Sequence, residues 1–217
     1  MKSKLVLCVQ VLFAVAVISG SAVFGQELKT IKLPAPQMNG GKPLMQALKE
    51  RKTGREFSNK KIPVQTLSNL LWAADGINRP DGKRTAPSAM NMQEIDIYAA
   101  MSDGLYLYDA KQNSLKMIFS EDIRALTGSQ PFVKEVPLNL IYVADISKFG
   151  NTPEKDVYLY VGADTGFISQ NVYLFCASEG LATVVRGYVD KPALEKKMNL
   201  NKNQKVILAQ SVGYPEK

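Results

Sequence analysis

Pro87-Ser88-Ala89-Met90-Asn91-Met92-Gln93 lies between a basic loop and the strand-like run Ile95-Asp96-Ile97-Tyr98-Ala99-Ala100. Ser88 ahead of Asn91 and Gln93 is one way to cap a helical turn. The same residues admit a second reading. An Asn on a turn opened by proline offers a donor and an acceptor together, the neutral, directional pair that the edge of a heteroaromatic ring requires.

Downstream of this segment, residues 95–101, 105–109 and 115–119 carry strand signals. Ser102-Asp103-Gly104 marks a hairpin between the first two, and residues 110–114 join the last two. Residues 138–144 are continuously apolar, as in a central strand buried on both faces, and residues 205–213 give a final strand. Upstream, Pro63 opens a helix with Leu67, Leu70, Leu71 and Ala74 on one face and Gly76 as its stop. Leu44, Ala47 and Leu48 recur at helical spacing in a helix before it, and Gly54 ends that pattern. Residues 122–127 predict a short helix ended by Gly128, and residues 191–198 another. Residues 158–180 predict a long core helix that Asp164, Gln170, Asn171 and Glu179 interrupt; Gln170 and Asn171 are either satisfied core residues or the lining of a dimer interface. Helices intermixed with hairpins predict an α+β fold. Residues 26–43 contain Pro34, Pro36, Gly40, Gly41 and Pro43 with little periodic apolar content, so they read as an extended arm or linker ahead of a domain at residues 44–217.

Composition narrows the chemistry. The chain has no histidine among 217 residues, which excludes a Ser-His-Asp triad or a Cys-His pair and argues against a metal site. Lys2 and Lys4 precede an apolar run at residues 5–18 and a small-residue stretch at 19–25, the pattern of a secretory signal peptide. Cleavage near Gly25, with export to the periplasm or cell envelope, is expected; an uncleaved N-terminal anchor is the alternative. Cleavage removes two lysines and no acid, lowering the formal charge from +7 to +5. The basic residues are scattered among acids, so nucleic acid is not expected as a partner, nor is stable membrane insertion after cleavage. Cys176 is then the only thiol, and its apolar neighbours Leu174, Phe175 and Ala177 predict a buried, inert one.

Several segments occur in a recognisable order: Arg51-Lys52-Thr53-Gly54-Arg55-Glu56-Phe57; Leu67 to Gly76, reading L-S-N-L-L-W-A-A-D-G; P-S-x-x-N-x-Q at 87–93; Gly104-Leu105-Tyr106-Leu107-Tyr108-Asp109; Gln130-Pro131-Phe132-Val133 with Pro137; Gln170-Asn171-Val172-Tyr173-Leu174 leading to Glu179-Gly180-Leu181-Ala182-Thr183; and Val212-Gly213-Tyr214-Pro215. In these the chain resembles the nitroreductase family, most closely its SagB-type branch of thiazole- and oxazole-forming dehydrogenases. The resemblance implies a three-layer α/β/α fold with a central, mostly antiparallel sheet, and a homodimer holding FMN non-covalently in two interfacial clefts. It implies a cofactor-binding set of Arg51, Lys52, Thr53, Arg55, Pro87, Ser88, Ala89, Asn91, Leu181, Ala182 and Thr183. Within it Arg51 and Thr53 hold the ribityl phosphate, Arg55 lies near N1 and O2 of the ring, Asn91 bonds the pyrimidine edge with Ser88 and Ala89 supporting its turn, and residues 181–183 pass along the ring as backbone. The basic residue that the family carries after Gly-Tyr-Pro is expected in Lys217 or Arg186. No catalytic side chain is implied, because the flavin carries the chemistry on a small-molecule substrate. The implied activity is an FMN-dependent oxidoreductase that transfers hydride at flavin N5 in two half-reactions. The rivals are a non-catalytic flavin- or ligand-binding protein that keeps the fold, and an enzyme that consumes its own flavin. No G-x-G-x-x-G fingerprint marks a dinucleotide domain.

Overall fold

A computed structural model describes residues 28–216. The signal-peptide segment and Lys217 lie outside the described residues. Seven strands form one sheet: β1 (Thr30–Lys32), β2 (Ile95–Met101), β3 (Gly104–Asp109), β4 (Ser114–Phe119), β5 (Leu138–Asp145), β6 (Ala182–Arg186) and β7 (Gln204–Gly213), ordered β1-β4-β3-β2-β5-β7-β6 with every pairing antiparallel. Four helices accompany it: α1 (Leu44–Glu50), α2 (Val64–Asp75), α3 (Glu154–Glu179) and α4 (Lys191–Lys197).

The period of two along β5 builds the layers. Leu138, Leu140, Tyr142 and Ala144 face the core under α2 and α3, whereas Ile141 and Val143 face a smaller core closed by Leu194 and Met198 around α4. The result is the expected α/β/α sandwich, its second layer thin. Leu70 and Leu71 of α2 have no solvent exposure, and each such burial contributes roughly 1.5–3 kcal/mol.

Three elements depart from the sequence reading. The arm is extended, yet Thr30–Lys32 pairs with β4 and Ser68 Oγ donates to Pro34 O at 2.6 Å, so the sheet begins within it. Around β1 only Ile31 and Leu33 alternate as apolar residues, too few for a periodic signal; pairing with a distant strand makes it β-structure. α3 starts at Glu154, four residues before the apolar run, because Glu154 and Asp156 sit in its first turn, where the positive end of the helix dipole favours acids. β6 follows at once after Gly180, which ends α3 at φ 71, a left-handed conformation suited to glycine.

Candidate functional site

The chain leaves α1 at Arg51 and runs along the free edge of β6. Gly54 N donates to Thr183 O at 3.0 Å, Phe57 bridges Pro215, and Ser58 N donates to Tyr214 O at 2.9 Å. A Cβ on Gly54 would stand 3.1 Å from that of Ala182, so the glycine permits this approach. These bonds bring Arg51, Lys52, Thr53, Arg55, Leu181, Ala182 and Thr183 to the wall of one cleft of about 920 Å³. Thr183 Oγ1 turns away, donating to Ser211 O at 2.8 Å, so Thr183 meets residues 51–56 through its backbone.

The cleft is cationic. Lys42, Lys49, Arg51, Lys52 and Arg55 stand against Glu50, Glu56 and Glu216, five positive groups to three negative. Lys42 pairs with Glu50, which leaves Lys49, Arg51, Lys52 and Arg55 against two acids. Tyr173 of α3 forms the floor. Its ring lies 5.4 Å from the Arg51 guanidinium; its hydroxyl is 3.1 Å from Thr53 Oγ1 and accepts from Val185 N at 3.0 Å. Tyr173, Lys42 and Lys49 are site residues that the sequence reading left without a role. For Tyr173 the available signal was a hydroxyl-bearing residue inside the helical run that precedes Gly180. Cys176 also lines the cleft, but burial pushes its thiol far above the ordinary range, so it supplies no thiolate.

Arg186, expected with Lys217 as a candidate for the basic residue after Gly-Tyr-Pro, is elsewhere. It is buried, and its guanidinium donates to Thr127 O, to Asn139 Oδ1 at 2.9 Å and to Ser211 Oγ at 3.1 Å. A Cβ on Gly128 would collide with Arg186 Nη1, so that glycine makes room for the guanidinium as well as ending a helical turn. Gln170 is exposed, and Asn171 Nδ2 donates to Ala74 O at 3.4 Å.

The other expected half, Pro87, Ser88, Ala89 and Asn91, is not in this cleft. Met90, Asn91 and Gln93 have φ of 51°, 57° and 46°, three non-glycine residues in the left-handed region within four positions. Contacts through Ala89 and Gln93 hold them. Ser88 Oγ accepts from Gln93 N at 3.0 Å, Asp164 Oδ2 accepts from Ala89 N at 2.8 Å, Lys148 Nζ donates to Gln93 O at 2.8 Å, and Arg84 Nε donates to Gln93 Oε1 at 3.1 Å. Pro87 and Ser88 line a separate cavity of about 10 Å³, room for a single water, with Asp75, Arg84, Glu94 and Asp164. Burial raises Asp75 to about 7 against the attraction of Arg84, and burial beside Asp164 raises Glu94 to about 7.

Helix α3 measures the separation. Asp164 under the turn and Tyr173 under the cleft are nine residues apart, which at 3.6 residues per turn is about 13 Å along the axis and about half a turn around it. Along its outer side α3 exposes Leu159 and Ala163 just before Asp164, and Gly166 and Phe167 between Asp164 and Tyr173. Leu44 and Met45 beside the cleft, and Met90 on the turn, are exposed at 63, 76 and 61%.

Known proteins share this fold. A Methanocaldococcus jannaschii protein named as a nitroreductase is 30% identical over 168 residues, covering 73% of this chain and 84% of its own. A Ralstonia eutropha crystal structure, also named as a nitroreductase, superposes with a TM-score of 0.84 at 40% identity, over 89% of this chain and 92% of that one. The NADPH:FMN oxidoreductase of Vibrio harveyi, complexed with NAD+, shares the fold with a TM-score of 0.60 at 18% identity, over 80% of this chain and 68% of its own. The family model for the nitroreductases matches residues 48–214, and the chain belongs to that family.

Proposed function

We propose that this protein is an exported, FMN-dependent oxidoreductase of SagB type, working as a homodimer in which each flavin lies between the basic cleft of one copy and the turn at residues 87–93 of the other. The observation that carries the reading is the convergence of Arg51, Lys52, Thr53 and Arg55 with the β6 backbone on one cationic cleft. About 920 Å³ is ample for a three-ring cofactor with a phosphate tail, and the cations suit a dianion. The family includes flavin enzymes, and the Vibrio harveyi neighbour is named for FMN.

Bound flavin would supply two-electron chemistry at its N5. The chain's part is to hold and tune it. The Arg51 guanidinium and Thr53 hydroxyl match phosphate oxygens, with Tyr173 presetting both side chains. Arg55 offers a cation to the negative charge of a reduced ring, favouring reduction. Asn91 offers its amide to the pyrimidine edge. The apolar side chains exposed on α1, α3 and the turn suit burial against a second copy. Export rests on Lys2, Lys4 and the apolar run at residues 5–18. Among the described residues no helix is long and apolar enough to cross a membrane.

Free nicotinamide cofactors are expected to be scarce outside the cytoplasm, so the reductant is the substrate itself or an envelope electron carrier. Purified protein should take up FMN and turn yellow, and stopped-flow reduction of that flavin by NADH or NADPH should be slow, below the roughly 10 per second of a median enzyme. A protein that takes up no FMN overturns the cofactor assignment; reduction at hundreds per second overturns the donor assignment.

A further inference from the structure

Among the described residues, Glu94 is the one fully buried carboxylate whose two oxygens both lack a hydrogen-bond donor. It sits between the turn at residues 87–93 and β2, on the same small cavity as Asp164 and within hydrogen-bonding reach of it. The other charged groups around it are Asp75 from α2, Asp96 from β2, Arg84 from the loop after α2 and Lys148 from the turn after β5. Neither cation forms an ion pair with Glu94: Arg84 binds Asp75 and Gln93, and Lys148 donates to the Gln93 carbonyl. Two ionised carboxylates side by side have no donor between them and repel each other. One proton supplies the donor and removes the repulsion. Asp164 has a further duty, because its Oδ2 accepts the Ala89 amide in the middle of the left-handed turn.

We propose that Glu94 and Asp164 share one proton, and that the hydrogen bond this forms fixes Asp164 as the clamp on Ala89, making Glu94 a positioning residue for the turn that meets the flavin. The consequence for the cofactor rests on the FMN reading above; the clamp itself does not. Burial places loss of the Glu94 proton at about 7. The folded value is raised above the ordinary carboxylate value, so the clamp is intact below about 7 and is released as pH rises through it. Release loosens one of the contacts that hold the left-handed residues Met90, Asn91 and Gln93, the one through Ala89, while those to Ser88, Lys148 and Arg84 remain, and the turn relaxes in part.

The test compares the full chain with its Glu94→Gln variant, whose neutral amide keeps the shape and a permanent donor. FMN affinity is measured by fluorescence quenching at about pH 6 and about pH 8.5, either side of the Glu94 transition. The ionisation of the FMN phosphate is common to both proteins, so the ratio of their dissociation constants isolates the pair. Wild type should weaken by roughly tenfold relative to Glu94→Gln across that interval, one pKa unit's worth of coupling. A ratio that stays constant with pH overturns the proposal. Amide exchange at Ala89 in flavin-free wild type is an independent readout. Corrected for its intrinsic base catalysis, protection there should fall roughly tenfold over the same interval, and unchanged protection contradicts the clamp. If FMN binds neither protein at either pH, the cofactor reading fails while the Ala89 measurement still decides the clamp.

Discussion

The segment at residues 51–56 is cationic, largely exposed and anchored by the backbone hydrogen bond from Gly54 to Thr183 of β6, which leaves its charged side chains free for a ligand. The turn at residues 87–93 is neutral and left-handed at three positions, and its anchors are buried carboxylates, Arg84 and Lys148 beneath it. A phosphate needs charge, which tolerates solvent and small misplacement. On the proposed flavin reading a ring edge needs direction, which a strained backbone clamped from below would supply. The two regions therefore respond to different perturbations: the cleft to removal of charge, the turn to proton uptake and release under it.

The largest expected effect lies under the turn. Asp75 and Glu94 are both raised to about 7, so in the folded state each holds its proton where the unfolded chain has lost it. Stability should fall as pH rises from about 4.5 to about 7 and level off above, by on the order of a few kcal/mol in total. Burial raises Asp96 too, which adds to the fall, whereas the exposed acids Glu50, Asp81 and Asp122 have lowered values and the chain has no histidine to oppose it. Urea unfolding at about pH 5 and about pH 8 checks it. Equal stabilities, or a gain at the higher pH, would show the acid cluster to be solvated rather than buried.

Next in size is the cleft. Arg51→Ala removes a charge-assisted contact and should weaken FMN roughly ten- to a hundredfold, corresponding to about 1.5–3 kcal/mol. The urea midpoint should hardly move, because Arg51 is only partly buried. Unchanged affinity in a fluorescence titration would break the phosphate assignment and with it the contrast between the two regions. Smaller again is Tyr173→Phe. It deprives Thr53 Oγ1 and Val185 N of their partner, at a stability cost of about 1 kcal/mol, and weakens FMN by less than Arg51→Ala does. A loss of affinity larger than that of Arg51→Ala would make Tyr173 a direct ligand rather than a support.

Elements whose pattern is local were readable in the sequence. β5 reads as a central strand because both its faces are apolar, and α2 because its leucines repeat at helical spacing. The basic cleft segment was readable too, since four of its residues are contiguous with Gly54 and the ordered motifs placed them. What depends on distant partners was not. β1 exists only by pairing with β4, and Arg186 looked available until Thr127, Asn139 and Ser211 enclosed it. Asp75, Glu94 and Asp164 read separately as a helix end, a residue between turn and strand, and an interruption in an apolar helix. Their meeting beneath Ala89 is a property of the packed chain. The turn itself was legible as a motif, but its left-handed backbone and its distance from Arg51 were not.

That distance makes subunit complementation the most direct measurement. Copies carrying Arg51→Ala and copies carrying Asn91→Leu each spoil every site when they pair with themselves. In a one-to-one co-assembled mixture, cross-subunit sites regenerate one intact site in every mixed dimer, about a quarter of all sites by symmetric random pairing. FMN retained at a concentration that saturates only intact sites should rise to about that fraction. Retention no higher than the mean of the two separate variants would place Arg51 and Asn91 in the same copy's site, and would contradict a flavin held between one protomer's cleft and its partner's turn.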